Sequence, residues 1–296
     1  MINNMEKLGK IKNIGITAAI FTALLTGNAH ASELSSAARN LDTSVNKLVE
    51  VKDDLSVEEE VAYRKQVVSD ALTLSLKEIE SARKKLSNMD FDEEDILYSI
   101  KSSFLEWLDT EEDYYKEALR RLDLSEENSE TVKNFAKEIR SHRDDSYDNE
   151  MAKTLEFIFA METSRLTETA SQRWAKINTD LGKIEKAGLI EKDFFAAMMN
   201  EAGKLIDNAR SLLNRSIDVI KENYIRETEE DTEDAVDTET PAETLSVLSV
   251  DDNAVIEEES LPSPQELCEA AIVNLKSSYG EFVKISASVK KILGLP

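Results

Sequence analysis

The stretch SYDNEMAKTLEFIFAMETSRLTETASQRWAKINTDLGKIEK, Ser146–Lys186, decides the fold class. Its apolar residues Leu155, Phe159, Leu166, Ala170, Trp174, Ile177, Leu181 and Ile184 recur at the spacing of one face of an α-helix, with charged residues between them. At 1.5 Å per residue such a helix is about 60 Å long, so it needs partners of comparable length to cover its stripe.

The same pattern extends outward. Between Asn28 and Leu181 there is no glycine or proline, the two residues that most disfavour a helix interior, and all four prolines (Pro241, Pro262, Pro264 and Pro296) lie in the last quarter. A first helix is expected over 33–54. A second starts at Ser56, whose hydroxyl and Glu59 form a capping box, with Val61, Val68, Leu72, Ile79 and Leu86 on one stripe. A third helix, capped by Asp90 or Asp92, carries Leu97, Ile100, Phe104, Trp107, Leu108, Tyr115, Ala118 and Leu122. A fourth begins at Ser125 or Ser129, and the polar run from Ser141 to Asn149 reads as a loop. Gly188 ends the fifth helix in a left-handed cap, and Asp193 starts a sixth with Phe195, Met198, Ala202, Leu205, Ala209 and Leu212 on a coiled-coil-like seam.

Beyond it, residues 227–259 hold 14 acidic residues and no basic one, a composition that reads as a disordered acidic linker. Ser263, Pro264 and Glu266 then announce a last helix: a capping serine, proline in the first turn, and the glutamate of a capping box. Its expected seam is Cys268, Ile272, Leu275, Tyr279, Phe282, Ser286, Val289 and Leu293. The chain is therefore expected to be all-α: an elongated bundle of long antiparallel, coiled-coil-like helices over 32–226, an acidic disordered linker over 227–262, and a separate C-terminal amphipathic helix over 263–296.

Residues 1–31 read as a secretory signal peptide. Lys7, Lys10 and Lys12 precede the apolar run Ile14–Leu25, and Ala29-His30-Ala31 offers the small side chains that signal peptidase accepts, placing cleavage before Ser32. No later segment is apolar enough to span a bilayer, so the expected product is an exported protein, periplasmic or extracellular. Cys268 is the only cysteine and permits no intrachain disulfide. The net charge of −24 repels phosphate backbones, which argues against a nucleic-acid partner.

No pattern of catalytic residues emerges. Asp144, Ser146 and Asp148 alternate like the start of a calcium loop, but Asn149 stands where that loop needs glycine and Leu155 where it needs glutamate. His142 is the one histidine outside the leader, too few for a di-iron or zinc centre. Ser44/Lys47, Ser81/Lys84 and Ser288/Lys291 share the serine-lysine spacing of acyl transfer without its companion motifs. Trp107, Trp174, Met198 and Met199 fit a bundle core. The expectation is a non-catalytic protein without cofactor or metal, acting by contact with another protein or a second copy of itself. The candidate contact surface is the C-terminal seam of Cys268, Ile272, Leu275, Tyr279, Phe282, Val289 and Leu293. A cation- or small-ligand-binding sensor is the alternative.

Overall fold

The computed structural model describes residues 29–51, 56–124, 128–233 and 262–294. The leader up to residue 28 and residues 234–261, most of the expected linker, lie outside them. Every regular element among the described residues is a helix: α1 (Ala29–Val51), α2 (Val57–Ser87), α3 (Ile96–Leu124), α4 (Ser129–His142), a π-helical turn (Arg143–Tyr147), α5 (Asp148–Lys186), α6 (Ala196–Glu233) and α7 (Pro264–Ile292). The expected cleavage bond Ala31–Ser32 falls in the first turn of α1.

Caps fix the starts. Both expected capping boxes form: Ser56 with Glu59 opens α2, and Ser263 with Glu266, followed by Pro264, opens α7. Two caps differ from expectation. Asp95, not Asp90 or Asp92, accepts the Leu97 amide at 2.9 Å to start α3. Asn128, rather than Ser129, caps α4 by accepting the Glu130 amide at 2.8 Å, and Ser125 lies outside the described residues. The short carboxamide or carboxylate directly before a helix reaches its first amides, whereas a group three or more residues upstream cannot. Gly188 takes the expected left-handed conformation, φ 71°, and the Leu189 amide returns to the Ile184 carbonyl at 3.1 Å, a Schellman closure of α5. Helix α6 runs on through Glu233, so 227–233 of the expected linker is helical.

The expected loop from Ser141 to Asn149 is a correction of more consequence, because helix continues through it. Buried Ile139, Tyr147 and Met151, with Arg143 four-fifths buried between the first two, follow each other at three successive steps of four. An α-helix rotates such a row about 40° per step off its seam, and one wider π turn absorbs the drift. Polarity marked this run as a loop, yet its charged side chains are the ones that anchor it.

The chain falls into two compact units, divided at Glu162/Thr163 within α5. The sequence breaks the chain at its acidic stretch; the packing breaks it inside the longest helix. In the first unit α1 runs antiparallel to α2, with Lys77 pairing Glu33 near one end and Lys47 over the Tyr63 ring near the other. Helix α3 is antiparallel to α2 through Arg83, which bonds Asp109, Glu112 and the Leu108 carbonyl. Helix α4 returns along α3 through Arg121–Glu138 and His142–Glu111. Phe157 is fully buried against Phe91 and Phe104.

In the second unit the C-terminal part of α5, α6 and α7 form three alternating helices. Trp174 donates to the Met199 carbonyl at 2.8 Å, Arg210 reaches Ser171, and Ser216 donates to the Pro264 carbonyl at 3.0 Å. Ala170, Ala202, Ala209 and Ala271 line the centre, so small side chains let the backbones approach around Ile206, Leu275 and Phe282. Gly280 lies on the exposed side of α7, where a β-carbon would meet no neighbouring side chain. Gly280→Ala should therefore stabilise the second unit by about 0.5–1 kcal/mol through backbone entropy alone. A rise in its urea midpoint at unchanged slope checks this.

Candidate functional site

The expected contact seam on α7 is occupied by the chain itself. Cys268, Leu275 and Phe282 are buried against the bundle, and Ile272, Tyr279, Val289 and Leu293 lie half-buried at its edge. The buried row is Leu267/Cys268, Ala271, Leu275, Ser278, Phe282 and Ile285. Ala271 and Ser278 were missed because small and hydroxyl side chains weigh little in an apolar stripe, yet they mark the closest approach between helices. Tyr279 instead faces Arg173 of α5, whose guanidinium lies 5.2 Å from the ring centre. Cys268 is fully buried, with its sulfur 3.2 Å from the Ser216 hydroxyl.

The calcium-like positions do not converge. Asp144 pairs with Arg140, Ser146 bonds the His142 carbonyl, and Asp148 pairs with Arg143. Ser44 bonds Asp70, and Ser81 is buried, so neither resembles an activated nucleophile. No group of three or more metal-ligating side chains occurs among the described residues.

The first unit instead assembles a buried polar cluster. Where α4 passes into the π turn, consecutive residues point in two directions: His142 Nε2 meets Glu111 at 2.8 Å on α3, and Arg143 reaches Glu78 and Ser75 on α2. The His142 ring stacks on Tyr114 at 3.8 Å between centroids. Arg143 donates to Ser75 Oγ at 2.8 Å and to Asp148 at 3.0 Å, and more distantly to Glu78 Oε2 at 3.4 Å. Its guanidinium lies over the Tyr147 ring, whose hydroxyl is 3.2 Å from Glu78 Oε2. Glu78 Oε1 is buried with no hydrogen-bond partner.

Burial pushes the Glu78 carboxyl above the ordinary glutamate range against the opposing pull of the Arg143 charge. Burial likewise drives Tyr115 and Tyr147 upward. Burial opposes the Arg143 charge, but Glu78, Tyr147 and Asp148 together keep its proton more firmly bound than usual. The sequence carried one signal of this cluster: Glu111 sits on the stripe between Leu108 and Tyr115, where a charge needs a buried partner.

A half-open groove of about 360 Å³ lies between α2 and the end of α3, lined by Glu58, Lys65, Gln66 and Asp123 over Val61 and Leu122. At one end of the second unit, the turn joining α5 to α6 exposes Leu189 (55%) and Phe194 (56%). The last turn of α7 comes to the same end, where Val289 and Ile190 border one core cluster, and exposes Ile292 (43%). Lys186, Lys192 and Lys291 are exposed around them.

Fold and site together define a class: an all-α helical-bundle protein whose buried ionic groups are engaged with one another. Comparison with protein-family models, with curated proteins and with solved structures finds no match for this chain. No helix among the described residues is long and apolar enough to cross a membrane.

Proposed function

We propose that this is an exported, non-catalytic bundle protein that works in the cell envelope by binding another protein, and that it does so through the end of its second unit. The observation that carries this reading is the grouping of Leu189, Phe194 and Ile292 in solvent at one end of the second unit, whereas its other exposed apolar residues, Leu166, Ile225, Val273 and Val283, are spaced along α5, α6 and α7. Scattered exposed apolar residues are ordinary, whereas several converging on one end favour a contact site. Phe194 stacks edge-on against buried Phe195, 4.9 Å between centroids, which holds its ring in place and limits the entropy lost on binding.

Export is supported by the lysines, apolar run and A-x-A triplet of residues 1–31. Intact mass of the envelope form should correspond to a chain beginning at Ser32; retention of Met1 would contradict export by cleavage. For the contact itself, the double variant Leu189→Asp/Phe194→Asp should fold as the parent does, since both side chains are exposed, and should lose its partner by at least about 100-fold in affinity, two buried apolar contacts at about 1.5 kcal/mol or more each. Capture on immobilised protein, with helicity by circular dichroism as control, checks this. Undiminished capture would place the contact elsewhere.

The groove beside Glu58 and Asp123 favours the second reading, a cation- or small-ligand-binding module. Calorimetry of the full chain against calcium and zinc separates it, because protein contact at the end of the second unit needs neither ion.

A further inference from the structure

The buried cluster of the first unit holds two carboxylates against one guanidinium. Asp148 takes the better share of Arg143, accepting from Nε at 3.2 Å and Nη2 at 3.0 Å, and it is partly exposed. Glu78 has the weaker share. It receives Nη2 at 3.4 Å and the Tyr147 hydroxyl at 3.2 Å, both on Oε2, while Oε1 has nothing. A buried carboxylate with a bare oxygen is among the costliest groups to keep ionised, and protonation removes most of that cost.

The remaining groups do not supply a second positive charge. On α2 the neighbour is Ser75, whose hydroxyl already accepts from Arg143. Helix α3 presents Tyr115, with Glu111 beyond it engaged by His142 of α4. The π turn contributes Arg143 and Tyr147, and α5 contributes Asp148. The local balance closes with one proton added.

We propose that Glu78 is a proton-held latch: it binds one proton while the π turn is closed over α2, and loss of that proton as pH rises loosens the turn between α4 and α5. The sign follows from the buried position. Folding raises the affinity of Glu78 for its proton above the ordinary value of 4.5, so the stabilisation is complete below that pH and is lost as pH rises through the higher folded value. The ionised carboxylate draws harder on the Arg143 and Tyr147 donors, but the cost of keeping it out of water outweighs that pull, so the segment that opens is the turn that buries it, residues 143–148.

Amide hydrogen exchange of the full chain at pH 5 and pH 8, corrected for intrinsic rates, tests this. Protection at Arg143–Asp148 should fall by about tenfold or more between the two conditions. Glu78→Gln, which keeps a neutral side chain at both pH values, should remove most of that difference. Equal loss in parent and variant, or no loss in the parent, overturns the proposal. The carboxyl-carbon resonance of Glu78 in the parent supplies a reading that does not depend on the variant folding. A titration midpoint above 4.5 supports the latch, and one at or below that value overturns it.

Discussion

Replacing Arg143 with methionine is expected to destabilise the first unit by about 3–5 kcal/mol at pH 8, the cost of stripping a buried carboxylate of its counter-charge. The guanidinium is four-fifths buried and bonds Ser75, Glu78 and Asp148. Methionine fills much of the volume against Tyr147 but supplies no donor, so Ser75 and Glu78 lose their bonds together. The loss should shrink toward pH 5, where Glu78 can be neutral, and adding Glu78→Gln should return a large part of it at pH 8. Urea unfolding of the four proteins of this cycle at both pH values gives the coupling directly. An Arg143→Met cost independent of pH and of residue 78 would show that packing, not charge, dominates.

The second large effect is expected at Phe282→Ala, at about 3–5 kcal/mol. Phe282 is buried against Leu275 and the alanines of α5, α6 and α7, and stacks on Tyr279 at 5.5 Å between centroids. Alanine side chains cannot swing to fill the space it leaves, so the cavity should persist and the cost should lie toward the upper end. Cys268, one face along the same helix, reports the result. In the parent its thiol should react with a disulfide reagent only through rare opening of α7. In the variant the rate should rise by about 100-fold or more, as the opening equilibrium shifts. A thiol equally unreactive in both would mean that α7 is held by contacts other than this seam.

How far the sequence foretold this structure depends on what each residue had to reveal. Helix class was legible because proline and glycine are missing where a break would need them and because apolar spacing is helical over long runs. The capping boxes at Ser56 and Ser263 were legible because both partners lie within four residues. The caps Asp95 and Asn128 were missed amid several equally suitable polar residues, where the register of the following stripe decides. The π turn was misread because charge alone suggested solvent, whereas the three steps of four from Ile139 to Met151 held the opposite message. Most of the buried cluster was not legible: Glu78 and Arg143 are 65 positions apart and nothing local pairs them. On α7 Cys268, Leu275 and Phe282 are buried as expected, while the alternate seam positions fall one residue earlier, at Ala271, Ser278 and Ile285, because the small members Ala271 and Ser278 carry no strong apolar signal.

The face on α7 expected to seek a partner already has one in α6, which moves the expected contact to the end formed by the α5–α6 turn and the last turn of α7. That end is formed by residues close in sequence and by a helix end fixed through Ile285 and Val289, so it is presented on a firm support.

The most direct measurement is site-specific photocrosslinking in the producing cell, with a photoreactive amino acid at Phe194 and, as control, at Asp207, whose exposed side chain lies on α6 away from the α5–α6 turn. The account predicts a discrete protein adduct from position 194, absent from position 207 and abolished when Leu189 is aspartate. Adducts of equal yield from both positions, or none from 194 while 207 crosslinks, would contradict it.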